Sequence, residues 1–201
     1  MTGVQTCALP ICIVTQANDA IIMEQSFNGI ASNVISGPTP FLKLGSGAIT
    51  MINTAGYTGT TIISAGSLIA AMDSLSGAPG VFGNSTTQVT LGDAATTANN
   101  SSPGVFTGGA VTIGRAIFVA NQATSGIYTI GGATDNFSTI SGAISLSQPA
   151  TISQVATTLT NSLNITGGIS AGSVGIKTAT FSGPGAVNVA SAPIEIGRAH
   201  V

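Results

Sequence analysis

The sequence predicts an all-β chain, a β-solenoid whose strands stack rung on rung with irregular loops at the corners. Three observations carry this. Short runs alternate apolar and polar residues with period two and break at glycines, as half-buried strands joined by turns do. A Gly-Ala-apolar-polar-apolar signature recurs at Gly47, Gly109, Gly142 and Gly185. Charged residues make up 5% of the 201-residue chain while hydrophobic residues make up 43%, and the mean hydropathy is +0.51. A disordered chain has the opposite balance, with much charge and little hydrophobicity.

Taken in order, Ile13 to Gly37 holds the loose apolar clusters Ile13-Val14, Ala20 to Met23 and Val34-Ile35. Ala20 to Gln25 reads as a worn rung, with a helical turn as the other reading. Pro38 and Pro40 bracket a break before Phe41 to Leu44, and proline argues against a central strand there. Gly47 to Leu68 is the clearest stretch. Ile49 and Met51 alternate with Ala48, Thr50 and Ile52, Asn53 to Gly59 is rich in turn residues, and Thr60 to Ser64 is largely β-branched. Gly66 then leads into Ser67-Leu68-Ile69, giving strand, turn, strand, turn, strand.

Ala70 to Leu75 reads as a helical turn or another corner, and Ser76 to Gly80 as loop. Gln88 to Leu91 is a short strand, and Ala94 to Pro103 a protruding polar loop. Further strands are expected at Ala110 to Ile113, Ala116 to Val119, Gly126 to Ile130, Thr139-Ile140 and Ala143 to Leu146. Others follow at Thr151-Ile152, Val155 to Leu159, Leu163 to Ile165, Gly175 to Lys177, Ala179 to Phe181 and Ala186 to Val189. Gly131-Gly132 and Gly167-Gly168 are read as corners. By subtraction, the four signature glycines lie 62, 33 and 43 residues apart. Loops inserted at one corner would make those gaps uneven while the strands keep stacking. Thr, Ser and Asn are expected to face outward.

Within Gly47 to Leu68, residues Gly47, Ile49, Met51, Tyr57, Gly59, Thr61, Ile63, Gly66 and Leu68 fall in the register of the autotransporter-associated β-strand repeat, which this stretch resembles. Asn53 stands where that repeat usually has glycine, and Ala55-Gly56 where it has Asn-Thr. The resemblance implies a right-handed parallel β-helix. It also implies a non-catalytic structural or adhesive stalk of a secreted or surface-displayed bacterial passenger, attached to the outer membrane through a C-terminal part. Partners would be a host or neighbouring-cell surface or its glycans. The alternatives are a piece of a secreted β-helix polysaccharide-degrading enzyme whose catalytic rungs lie elsewhere, and a repeat protein anchored by a C-terminal sorting segment.

The two ends read differently. Cys7 to Ile11 back-translates to TGT GCT CTT CCG ATC, and its reverse complement, in a shifted frame with flanking bases, encodes Glu195 to His200. We therefore expect 1–12 and 195–201 to be translated sequencing adapter and 13–194 to be a β-solenoid fragment, and we leave the ends out of fold reasoning. His200, Arg198, Glu195 and Cys7 go with them, and Cys12 is in doubt. An isolated solenoid piece with open rungs at its ends is expected to associate end to end.

No catalytic, cofactor-binding or metal-binding residue is assigned. The acidic residues Asp19, Glu24, Asp73, Asp93 and Asp135 are scattered singly, as are Lys43, Arg115 and Lys177. All are read as solvated corners or ordinary turn chemistry. The formal net charge is -2 without a basic run, so nucleic acid is not an expected partner. No stretch reaches the roughly eighteen apolar residues of a membrane-spanning helix. Asn84-Ser85-Thr86 and Asn164-Ile165-Thr166 match the glycosylation acceptor by composition alone. Tyr57 and Tyr128 are expected to pack over corners rather than to form exposed platforms.

Overall fold

The structure is a computed structural model that describes residues 13–14, 19–158, 160–190 and 193–196. Strand β1 (Ile13–Val14) leads in. The first rung is β2 (Ile21–Glu24), β3 (Gly29–Ala31) and β4 (Ile35–Gly37). The second is β5 (Phe41–Leu44), β6 (Ala48–Met51) and β7 (Gly56–Tyr57). The third has β8 (Thr61–Ile63) and β9 (Ser67–Ala70), followed by loop 71–88. The fourth holds β10 (Val89–Leu91), helix α1 (Ala94–Asn99), β11 (Gly104–Thr107) and β12 (Thr112–Ile113). The fifth is β13 (Ile117–Val119), β14 (Tyr128–Gly132) and β15 (Ser138–Ile140). The sixth is β16 (Ile144–Leu146), β17 (Ala150–Gln154) and β18 (Ser162–Ile165). The seventh is β19 (Ile169–Ala171), β20 (Ala179–Ser182) and β21 (Ala186–Val189). Strand β22 (Ile194–Glu195) begins an eighth.

Each strand pairs in parallel with its counterpart one rung away. One face is an eight-stranded sheet that begins at β2 and ends at β22, and a second is a seven-stranded sheet from β3 to β20. The third face is split into a three-stranded part, β1-β4-β7, and a four-stranded part, β12-β15-β18-β21. This is a parallel β-helix. Along the eight-stranded sheet, successive partners run Ile21, Phe41, Thr61, Val89, Ile117, Ile144, Ile169 and Ile194. By subtraction a turn takes 20, 20, 28, 28, 27, 25 and 25 residues. The stretch that resembles the repeat spans one turn of the winding, since Ala48 in β6 pairs with Ser67 in β9, 19 residues later by subtraction.

Side chains alternate across each strand. The inward row Ile49, Leu68, Val105, Ile130, Ile152 is buried throughout. It meets Ile63, Leu91, Val119, Leu146 from the first face and Ile113, Ile140, Ile165 from the third. At about 25 cal/mol per Å² of apolar surface, this continuous core is what a single rung could not assemble.

Several expectations need correction. Phe41–Leu44 is an interior strand despite Pro40. The proline sits one residue before the strand, where its carbonyl still accepts the Ile21 amide at 3.0 Å. Gly131 and Gly132 are not a corner but the end of β14. A side chain at Gly131 would run into the backbone carbonyl of Ser153 on the next rung. Gly168, by contrast, does turn a corner, with φ +80. Val155–Thr158 and Gly175–Lys177 carry no strand, and Leu159 lies outside the described residues. The signature glycines do not mark one face: Gly47 precedes β6 on the second face, Gly142 precedes β16 on the first, and Gly109 and Gly185 precede β12 and β21 on the third. Their uneven spacing therefore reflects different faces as well as loops.

The outward rows also differ from expectation. On the first face the row is Ile22, Leu42, Ile62, Thr90, Phe118, Ser145, Ser170. Apart from Phe118, polar residues hold the row from Thr90 onward, whereas the early rungs turn isoleucine and leucine outward. Residues 1–12 and 197–201 lie outside the described residues. Glu195, at the edge of the second terminal segment, pairs with Ser170.

The polar segment after Gly92 is not a loop throughout but contains α1. Asp93 caps it, its Oδ1 accepting the amides of Ala95 and Thr96 at 2.9 and 3.1 Å. The Thr96 hydroxyl accepts the Asp93 amide, completing a capping box. Asn100, in the left-handed region at φ 48, closes the other end. Replacing Asp93 with Ala is expected to cost about 1 kcal/mol, read as a lower urea midpoint. Asn, which also caps, is expected to restore most of it.

Candidate functional site

The break in the third face is where the chain concentrates its buried polar chemistry. Rung three has no strand there; loop 71–88 takes its place. Ser74 bridges to Ile113 in parallel, and Gly80 to Ala55 in antiparallel fashion. The Asn84 amide donates to the Tyr57 carbonyl at 2.7 Å, and the Asp73 carboxylate accepts the Thr112 amide at 2.8 Å. Val81 and Phe82 fill the interior in place of strand residues.

A loop in a ladder position leaves carbonyls without ladder partners, and a buried carbonyl needs a donor. Arg115, from the tight corner between β12 and β13, supplies it. Its side chain is fully buried. Nε and Nη2 donate to the Thr87 carbonyl at 2.9 and 2.7 Å, and Nη2 also reaches the Gln88 carbonyl at 3.4 Å. Nη1 donates to the Phe82 carbonyl and, at 3.0 Å, to the Thr61 hydroxyl. Thr61 is the polar break in an otherwise apolar inward row, and it shares a 2.8 Å hydrogen bond with the Tyr57 hydroxyl. The rigid fork of five N–H groups suits this task better than a lysine would. Burial depresses the Arg115 pKa and pushes the Tyr57 phenol up to about 12, against the opposing pull of Thr61 and Arg115.

Lys43 repeats the device on a smaller scale. It shares the inward side of β5 with Phe41, and its ammonium donates to the carbonyls of Leu44, Gly45 and Ala65 at 2.6, 2.7 and 3.3 Å. Burial lowers its pKa to about 8. Reading Lys43 and Arg115 as solvated corners is therefore wrong: both point inward to serve backbone oxygens. Tyr57 and Tyr128, by contrast, are packed as expected and form no exposed platform: both are fully buried, and each ring lies against a positive-φ turn glycine, Gly83 and Gly92 respectively.

The other charged groups are used locally. Asp93 caps α1 and accepts the Ser64 hydroxyl at 2.7 Å. Lys177 donates to the Val174 carbonyl at 2.9 Å. Asp135 ties its corner to the next, accepting the Asn161 amide nitrogen at 2.9 Å and the Thr158 hydroxyl at 2.7 Å. Those bonds, Asn161 first, hold its carboxyl down at about 2. Its folded pKa lies below the unfolded value near 4. The stabilisation is thus complete above pH 4 and lost as pH falls through about 2. Thermal melts between pH 5 and 2 are expected to fall more steeply for the native chain than for Asp135→Asn.

A different surface forms where the first face turns into the second. Here α1, loop 120–127 and Gln148 stack as successive corners. Thr97 donates to Gln122 Oε1 at 2.8 Å. Asn100 accepts the Thr124 hydroxyl at 2.7 Å and the Ser125 amide at 2.9 Å. Gln148 exchanges hydrogen bonds with the Ala123 backbone at 3.1 and 2.7 Å. The result is an exposed ridge of uncharged amides and hydroxyls. Asn84 lies in loop 71–88 and Asn164 in β18, where its side chain accepts from Asn188 at 3.2 Å.

Among the described residues, no three His, Cys, Asp or Glu side chains gather as metal ligands, and no helix is long and apolar enough to cross a membrane. The fold defines the class, a β-solenoid of stacked parallel rungs. Comparison with family models, curated proteins and solved structures finds no match to the chain.

Proposed function

We propose that the chain is a rigid, non-catalytic segment of a secreted or surface-displayed bacterial stalk, of the kind that the autotransporter-associated repeat builds, and that it presents an adhesive surface. One observation supports this most. The buried cations bond backbone carbonyls, and the corner ridge of Thr97, Asn99, Asn100, Gln122, Thr124 and Ser125 is an ordered, uncharged polar surface left outside. Neutral amides and hydroxyls on a rigid frame suit neutral polyhydroxylated ligands such as cell-surface glycans, whose own groups both donate and accept.

The test is to display the chain on a non-adherent bacterium and measure binding to host-cell monolayers and glycan arrays. Adhesion that falls when Thr97, Asn100, Gln122 and Thr124 are changed together to Ala supports the reading. Depolymerisation of an acidic polysaccharide by the purified chain would replace it with the enzyme alternative. Absence of both adhesion and depolymerisation would leave a plain spacer and remove the adhesive part.

A further inference from the structure

We propose that Asn84 carries an N-linked glycan on the folded chain and that Asn164, the other match to the acceptor pattern, does not. Both satisfy the pattern, as Asn84-Ser85-Thr86 and Asn164-Ile165-Thr166. The fold separates them. Asn164 lies in β18, an interior strand of the third face with β15 on one side and β21 on the other. Its amide is committed in both senses. Nδ2 donates to the Ser138 carbonyl and the Ser162 hydroxyl, each at 3.3 Å, and Oδ1 accepts from Asn188 at 3.2 Å. A transferase must draw the acceptor amide and the hydroxyl two residues on into its own site. At Asn164 it would first have to break those bonds and the ladder on both sides.

Asn84 lies in loop 71–88, where residues 84–88 belong to no strand. Its backbone amide is pinned to the Tyr57 carbonyl at 2.7 Å, but its side chain makes no hydrogen bond among the described residues. Buried side-chain atoms without a partner occur, among those residues, only at Gln25, Tyr128 and Gln154. The half-buried Asn84 is not one of them, so its unbonded amide reaches solvent. Thr86 is exposed. The tripeptide rests on a fixed base: Ser85 Oγ accepts the Thr87 amide at 3.2 Å, and Arg115 grips the Thr87 carbonyl. A bulky, solvated sugar fits a surface loop and not the interior of a ladder. The chemistry is an exchange at the anomeric carbon of an activated sugar. Asn84 Nδ2 bonds to that carbon and gives up a proton. The carbon–oxygen bond to the donor's phosphate breaks, and the phosphate leaves with the electron pair. The donor is a sugar esterified to a lipid pyrophosphate or a nucleotide pyrophosphate. Loop 71–88 is separate from the corner ridge, so the assignment does not depend on the adhesive reading.

The test uses the full folded chain. One arm supplies a membrane oligosaccharyltransferase with a lipid-pyrophosphate oligosaccharide. The other supplies a soluble N-glycosyltransferase with a nucleotide-activated hexose. A standard acceptor peptide in each tube confirms that the enzyme is active. Intact mass and peptide mapping are expected to find a single glycan, at Asn84, in at least one arm, and the arm identifies the donor. Asn84→Gln and Thr86→Ala are each expected to abolish transfer. Thr166→Ala, which removes the second acceptor pattern without touching β18, is expected to leave it unchanged. Asn84→Gln removes no side-chain bond of the fold, so its thermal midpoint should match the native one. A loss of transfer then reports the acceptor and not unfolding. A glycan at Asn164 of the folded chain, or transfer that survives Asn84→Gln, would overturn the assignment. So would the absence of transfer in both arms while the standard peptide is modified.

Discussion

Replacing Arg115 with Met is expected to lower the unfolding free energy by roughly 2–4 kcal/mol and to loosen loop 71–88 before the rest of the helix. Two terms oppose each other. Removing the guanidinium relieves the desolvation of a buried cation, which amounts to several kcal/mol. It also strips the side-chain donor from the Thr87 and Gln88 carbonyls and leaves the Phe82 carbonyl only the long 3.3 Å bond from the Thr61 hydroxyl. Each buried acceptor left without a partner costs about 1–3 kcal/mol, so the second term wins. Arg115→Lys keeps the charge but not the fork. It cannot reach three carbonyls and a hydroxyl at once and should recover less than half of the loss. Native-state hydrogen exchange reads where the damage falls. The Asn84, Val89 and Gly114 amides, which anchor the loop and its flanks, should lose protection first. The amides of Ile144 and Ile169, on later rungs, should keep theirs. A loss below about 1 kcal/mol, or one spread evenly along the axis, would show that the loop is held without Arg115.

The location of this node was only partly legible. Alternation placed most of the strands, because period two is imposed by the backbone and survives degenerate sequence. The same rule places Lys43 on the inward side with Phe41. The low charge content makes a buried lysine look implausible in isolation, and its reason for being there, the carbonyls of Gly45 and Ala65, is a tertiary fact. Arg115 carries no local signal at all, since Gly114-Arg115-Ala116 reads as an ordinary corner. Its role exists only because the third face breaks on the rung before β12, where loop 71–88 replaces a strand. Helix α1 was legible in principle. Asp93 with Thr96 is a capping pair, but a six-residue run of Ala, Thr and Asn has little helical propensity without the Thr96 hydroxyl bond to the Ser64 carbonyl, 2.7 Å long. Gly131 looked like a corner because glycine usually marks one, whereas here it lets neighbouring strands approach.

The second large effect is expected at Tyr57. Its ring is fully buried and stacks on Phe41, with centroids 5.7 Å apart and an interplanar angle of 20°. Gly83, at φ +82, lies against the ring itself, and a side chain there would meet Tyr57 Cε2 at 2.8 Å. Tyr57→Ala therefore removes a packed aromatic from between the second rung and the loop, at an expected cost of about 3–5 kcal/mol. Tyr57→Phe keeps the ring and loses only the Thr61 bond, about 1 kcal/mol. The phenol itself gives a second reading. The chain has two tyrosines, and burial raises both pKa values, Tyr57 to about 12. An unfolded phenol ionises near 10, so above that pH the folded state holds more protons than the unfolded one. Stability from this source is complete below pH 10 and declines as pH rises toward 12. Spectrophotometric titration should show no tyrosinate absorbance step near pH 10 while the protein stays folded, then a cooperative rise as it unfolds. Tyr57→Phe should halve that rise and soften the alkaline loss of stability. A smooth step near pH 10 in the native protein would mean that the phenols are reached by solvent, and that the ring of Tyr57 does not sit where it closes the break in the third face.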